Sequence, residues 1–336
     1  MAAIPKSYKK SVTEGNGMLI ISIVFAVIIR LVYFLYFDFT HSRPVNGYLW
    51  KPLLYIFNDG LVSLLCSSLV VGSMAVLATH INTTHLFIRR KTILLPAVII
   101  LLFSCHPQFM QMSAEYISTM LFLVIIFILF TAYNSPDKQI FSFKTSFILA
   151  LGSMFIPALL VYLPVLWLAL VMMRCFNFKS LLASLLGMFL LYFPAFSYYF
   201  LTDSLDIFLA PFTSVSAEQL AGFPFYQLNI GDWIILGSST ILLVIIVSDN
   251  YINRHKDKIR TRAYLSLLSF ITVFSILAFL FLNIDFVIYQ FIALLTGAFL
   301  LSHFFALVEK RGGVILFYIS MIFYILACVF LFYLYK

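Results

Sequence analysis

Asp38, His41 and Arg43 stand within six residues of one another in FDFTHSRPVNGYLWKPLLYIFND, the segment from Phe37 to Asp59. A carboxylate there suits general-base work, and a guanidinium can hold phosphate oxygens bidentately. The same residues also fit a polar loop that caps a helix and turns at Arg43 and Pro44. A second group, His106, Gln108 and Glu115, lies in CHPQFMQMSAEY between Cys105 and Tyr116, and its residue types again suit acid and base chemistry. A His before Pro is equally a turn residue. Asp203 and Asp206, three apart, would share one face of a helix and admit a divalent cation with substrate phosphates, or they are simply solvated. The spacing of histidines and cysteines gives no protein-built metal site, and no other cofactor is implied.

What must position these groups is set by composition. With 63% hydrophobic and 10% charged residues and a mean hydropathy of +1.06, the chain lies outside soluble globular composition. Its apolar runs repeatedly approach the roughly 20 residues that cross a bilayer as a helix, so the lipid bilayer is its first partner. A net charge of +8 would suggest nucleic acid in a soluble protein. Here the Lys and Arg residues collect in short loops between apolar runs, which is a topology signal and excludes nucleic acid. Cys66, Cys105, Cys175 and Cys328 stand singly in or beside apolar runs and read as small core residues.

The first run, Met18 to Phe37, is too long for the apolar region of a cleaved signal and ends in aromatics, which predicts an uncut first span with its N-terminus inside. Arg30, two thirds of the way across, should either snorkel outward or face the bundle and find a carboxylate. Tyr48 to Asn58 reads as an interfacial helix or as the entry to the next span. Loops that are both basic must be separated by an even number of crossings. That rule makes Thr92 to Ser104 and Ile117 to Tyr133 a hairpin with its apex at residues 105–116. It also divides the long run from Thr145 to Met173 at Ile156 and Pro157, where proline disfavours helix in the residue before it.

Further crossings are expected at Ser180 to Leu201, Asp232 to Ser248, Tyr264 to Leu282, Phe286 to Leu307 and Val314 to Tyr335. The expected fold is therefore all-α: a polytopic transmembrane helix bundle of about eleven spans, N-terminus in and C-terminus out. Of the 21 Lys and Arg residues this plan puts seventeen inside and only Arg43 and Lys51 outside. Residues 1–179 form an N-terminal half with its first outer loop at 38–59, and residues 180–336 a C-terminal half with an outer loop at 202–231. No separate soluble domain is expected.

Ionisable residues are nearly absent from the spans, and inverted repeats with broken midplane helices are not evident, which argues against an ion-coupled transporter. Walker, dinucleotide and HExxH motifs are absent from the sequence. Polar loops on the outer face above an apolar bundle suit an enzyme or a scaffold that handles lipid-linked material outside.

One resemblance sharpens this. An Asp-bearing outer loop after the first span, then NTTHLFIRRKTILLPAVIILLFSCHPQFMQMSAEYISTMLFLVIIFILF, then SFILALGSMFIPALLVYLPVLWLALVMM, resembles the N-terminal half of the GT-C membrane glycosyltransferases, over roughly Met18 to Lys179. The chain also resembles a multi-span membrane protein family of Bacteroidota. The resemblance implies a bacterial inner-membrane protein that moves a sugar from a polyprenyl-phosphate donor on the outer face. Asp38 would then be the catalytic base, with His41, Arg43, His106 and Glu115 around the substrate. The usual acidic pair is reduced to Asp38 between two phenylalanines, so the alternatives are a non-catalytic scaffold for envelope polysaccharide or protein export, and a transporter or flippase of a lipid-linked substrate.

Overall fold

The structure, a computed structural model, describes residues 8, 12–37, 47–90, 92–213, 230–253, 257–282, 285–308 and 311–334. Described secondary structure is helical throughout: α1 (Gly17–Tyr36), α2 (Leu54–Phe57), α3 (Gly60–His85), α4 (Leu94–Leu102), α5 (Ala114–Thr131), α6 (Lys138–Ser153), α7 (Tyr162–Met172), α8 (Phe178–Leu201), α9 (Leu205–Thr213), α10 (Ile230–Ile252), α11 (Ile259–Phe281), α12 (Val287–Ala306) and α13 (Arg311–Leu334). Seven of them, α1, α3, α5, α8, α11, α12 and α13, are long and apolar enough to cross a membrane, and two shorter apolar helical stretches cover 157–172 and 237–252.

Local chemistry sets the helix ends. Asp59 caps α3 by accepting from the Leu61 N–H at 3.0 Å, and Leu86 at φ 50° closes its far end. Asn177 and Ser180 form a reciprocal capping box at the start of α8, each side chain bonding the other's backbone N–H. The break expected at Ile156 and Pro157 is present. Helix α6 stops at Ser153, Ile156 is extended at φ −138° and ψ 106°, and a 3-10 turn over Pro157–Val161 leads into α7. The Asn134 N–H donates to the Met173 carbonyl at 3.0 Å, so the two ends of this broken unit meet. A hairpin is the only path that allows this, because a continuous helix of that length would hold its ends about 60 Å apart.

Helix α4 is shorter than its apolar run. Its nine residues rise about 14 Å, half of a hydrocarbon core, and eight of them are buried against α1, α3 and α12. Helix α12 is the other central element: 78% of its apolar window is inside the protein, against 17% for α8, which turns Phe189, Leu190 and Phe193 outward. Helix α8 packs closely on α6 because small residues line the seam. The Ser142 hydroxyl donates to the Ser180 carbonyl at 2.6 Å, and a Cβ on Gly187 would stand 2.7 Å from the Phe143 carbonyl oxygen.

The segment before α2 is pinned to the break. Leu49 N–H donates to the Met154 carbonyl at 3.1 Å, and the Tyr48 hydroxyl bonds the Phe208 carbonyl while its ring stacks on Phe208. Trp50 is fully buried and stacks on Phe57. The expected interfacial helix is reduced to residues 51–57, a 3-10 turn continued by α2, with Tyr55 and Ile56 outward.

Candidate functional site

The segment between α4 and α5 folds down into the bundle, and two serines of α3 receive it. The Met112 N–H donates to Ser63 Oγ at 2.7 Å, and the Ser67 hydroxyl donates to the Met110 carbonyl at 2.7 Å. Ser67 lies seven residues along α3, about 10 Å below its start. The same Ser67 oxygen accepts from Arg30 Nη1 at 2.7 Å, with the Leu64 carbonyl at 3.5 Å. Arg30 therefore faces the bundle, 7% exposed. Its partner is a hydroxyl where the sequence suggested a carboxylate, and among the described residues its Nη2 has no hydrogen-bond partner.

His106, extended in backbone and 4% exposed, accepts from the Gln108 N–H at its Nδ1 and so caps the one-turn 3-10 helix Pro107–Phe109. The turn reading of a His before Pro holds for that nitrogen. Glu115 is 6% exposed in the first turn of α5, where the helix dipole favours its negative charge. Both its carboxylate and the Arg30 guanidinium act electrostatically on the Tyr116 hydroxyl, which donates to the Phe109 carbonyl. Beneath them Phe291 of α12 sets its ring edge-on to Phe103, Phe109 and Tyr116.

A carboxylate from far along the chain completes the site. Asp285, at φ 41° in the turn before α12, is within electrostatic reach of Glu115. Burial first, and then the Glu115 charge, push its carboxyl up to about 6 from an ordinary 3.8. A carboxyl raised that far toward neutral pH suits proton transfer. The sequence placed Asp285 only at an outer turn; its pairing with Glu115, 170 positions away, left no local signal.

That shift sets a pH dependence. A carboxyl raised in the folded state binds its proton more tightly there, so folding loses stability as pH rises from about 4 to about 6 and does not regain it above. Asp285→Asn is therefore expected to be more stable than the parent at pH 7.5 by about 1–2 kcal/mol after allowance for solvent screening, melting at a higher temperature, and to melt at the same temperature near pH 4. Parallel melting curves at the two pH values check this. A gain of equal size at both would assign it to something other than the raised carboxyl.

Of the other expected site residues, Asp38, His41 and Arg43 lie outside the described residues. Asp203 and Asp206 do not share a helical face. Asp203 takes a left-handed conformation at φ 49° just past α8, and Asp206 belongs to the first turn of α9. No group of three or more His, Cys, Asp or Glu side chains that could hold a metal occurs among the described residues. All four cysteines are free, and Cys105, Cys175 and Cys328 are buried as small core residues.

Long apolar helices around a buried polar cluster make this chain a helical membrane protein. It matches no protein-family model, no curated protein and no solved structure.

Proposed function

We propose that the chain is a bacterial inner-membrane enzyme that moves a sugar from a polyprenyl-phosphate donor to an acceptor on the outer face. The observation that carries the reading is buried Glu115 with the partly buried Asp285 in its electrostatic reach, next to Tyr116, on which the Arg30 guanidinium also acts. In this reading Asp38 takes the proton of the acceptor hydroxyl, that oxygen attacks the anomeric carbon, and the polyprenyl phosphate leaves. Arg30 and Arg43 meet the charge that develops on the leaving phosphate, and the carboxylate pair receives and returns the proton.

The order of elements supports the resemblance: an outer loop with a short surface helix, a hairpin with one short arm and a buried apex, then a hairpin broken at proline. Eleven crossings follow when α4, α6, α7 and α10 each pass between faces. The bond between Asn134 and Met173 supports placing Lys138, Lys144, Arg174 and Lys179 together on the inner side.

Two measurements test this. Purified protein given polyprenyl-phosphate sugars should release polyprenyl phosphate, with Asp38→Asn reducing the rate by about a hundredfold or more while the protein still folds and inserts. Full rate in that variant would remove Asp38 as the base. No release by the parent from any donor would leave the scaffold reading in its place. For orientation, single cysteines at Ser42 and Ser216 should react with an impermeant thiol reagent in intact spheroplasts, and one at Ser135 should not. Labelling at Ser135 alone would invert the topology.

A further inference from the structure

At the opposite end of α3 from the Glu115 cluster, a cavity of about 400 Å³ opens among the segment after α3, the end of α10, the end of α12 and the start of α13. Its polar wall is Arg89, Arg90, Asp249, Asn250, Asp257 and His303, and Phe304, Leu307 and Val308 form an apolar side. The hydrogen-bonding capacity of that wall is unevenly used. Asp257 is engaged: burial alone would raise its carboxyl, but His303 and Arg89 outweigh burial and hold it below the usual range, and Arg89 pairs with it directly. Asp249 accepts from the Asn253 amide at 2.9 Å.

The donors are not engaged. His303 is 3% exposed, yet among the described residues neither ring nitrogen makes a hydrogen bond, and the approach of its Nε2 to Asp257 Oδ1, 3.7 Å, is too long for one. Asn250 Nδ2 is buried without a partner, and Arg90 makes no ion pair or hydrogen bond among the described residues. Buried polar groups are normally satisfied, and two residues, Asn250 and His303, whose buried side-chain nitrogens lack partners among the described residues and which line one cavity beside the partly exposed Arg90, point to a polar ligand that belongs there. Among the lining residues Arg89 and Arg90 face Asp249 and Asp257, so recognition rests on directed donors more than on net charge.

We propose that this cavity binds a phosphate ester, its oxygens held by Arg90, Asn250 and His303. Phosphate supplies several acceptor oxygens in a compact group, matching donors that line one cavity, and the Phe304, Leu307 and Val308 side accepts the apolar part of the ester. The cavity volume lies within the range of small-molecule sites. The ester is carried either by a membrane lipid or by a soluble compound, and these are separable.

The test uses the purified full chain in detergent, with dioctanoyl phosphatidylglycerol, glycerol 1-phosphate, inorganic phosphate and phosphate-free dioctanoylglycerol as probes, read by native mass spectrometry and thermal shift. At least one phosphate-bearing probe should bind and raise the melting temperature, and dioctanoylglycerol should not. Arg90→Gln and Asn250→Leu should each weaken binding about tenfold or more. Lipid binding that glycerol 1-phosphate does not displace assigns the site to a lipid head group, and displacement assigns it to a soluble ester. His303→Gln is the third variant; should it fail to fold, Arg90→Gln on the partly exposed segment carries the comparison. Absence of binding by every phosphate probe at millimolar concentration, or equal binding by the parent and the folded variants, overturns the proposal.

Discussion

Gly47→Ala should destabilise the protein by about 3 kcal/mol, while Gly72→Ala in the same background should leave it unchanged or slightly more stable. A Cβ on Gly47 would lie 1.8 Å from the Phe155 carbonyl oxygen, 2.5 Å from its carbon and 3.1 Å from the Met154 oxygen. These are backbone atoms at the break between α6 and α7, so no side chain can swing away. The loop would have to lift, and lifting it breaks the Leu49 to Met154 bond and draws the fully buried Trp50 from its seat. Gly72, inside α3, has nothing within 4 Å of its Cβ position, and there the methyl only reduces backbone freedom in the unfolded chain. Thermal unfolding of both variants in one detergent reads the contrast. Equal melting temperatures would mean that the segment around Gly47 is not clamped on the break. If the proposed transfer is correct, Gly47→Ala also loses activity with Asp38 intact.

Ser67→Ala carries the second large effect. Interhelical hydrogen bonds between neutral groups in membranes average only about 0.6 kcal/mol, which would make this substitution minor. Ser67, however, accepts from a buried guanidinium and donates to the Met110 carbonyl, so its removal strands a charged donor and a buried acceptor together. The expected loss is about 2–3 kcal/mol. Arg30→Leu removes the charge itself and leaves no stranded donor, so it should cost far less. In the double variant Ser67→Ala has little left to disrupt, and the cycle should show a coupling of about 1–2 kcal/mol. Additive losses would show that the guanidinium finds water or another partner without Ser67.

The break at Pro157 was legible because two constraints met there: basic residues at both ends of the run fixed an even number of crossings, and proline marked the turn. Other features depend on pairings across the chain. Arg30 alone could not announce whether it snorkels or turns inward, because Ser67, its partner, lies 37 positions on and is an unremarkable helix serine. The length of α4 was overread because the apolar run continues past Leu102, where the backbone already leaves the helix. Asp203 and Asp206 misled because their spacing implies a shared face only inside one helix, and Asp203 instead stands in the turn that ends α8. His106 and Glu115 were readable by residue type at a polar apex. Their burial and the approach of Asp285 follow from how α4, α5 and α12 pack.

The inward turn of Arg30 also has an electrical consequence. The residue stands six positions before the C-terminal end of α1, about 9 Å along the axis, which in the orientation proposed above is roughly a third of the way from the outer side through a 30 Å hydrocarbon layer. An energised membrane drops its potential across that layer, so a unit charge at this depth exchanges roughly 0.7 kcal/mol with a field of 100 mV. An anionic group drawn from the outer surface down to Arg30 travels through the same fraction of the field, toward the negative side in the orientation proposed above. Its descent would therefore be opposed across an energised membrane and eased when the membrane is depolarised, so the proposed transfer would answer to the membrane potential.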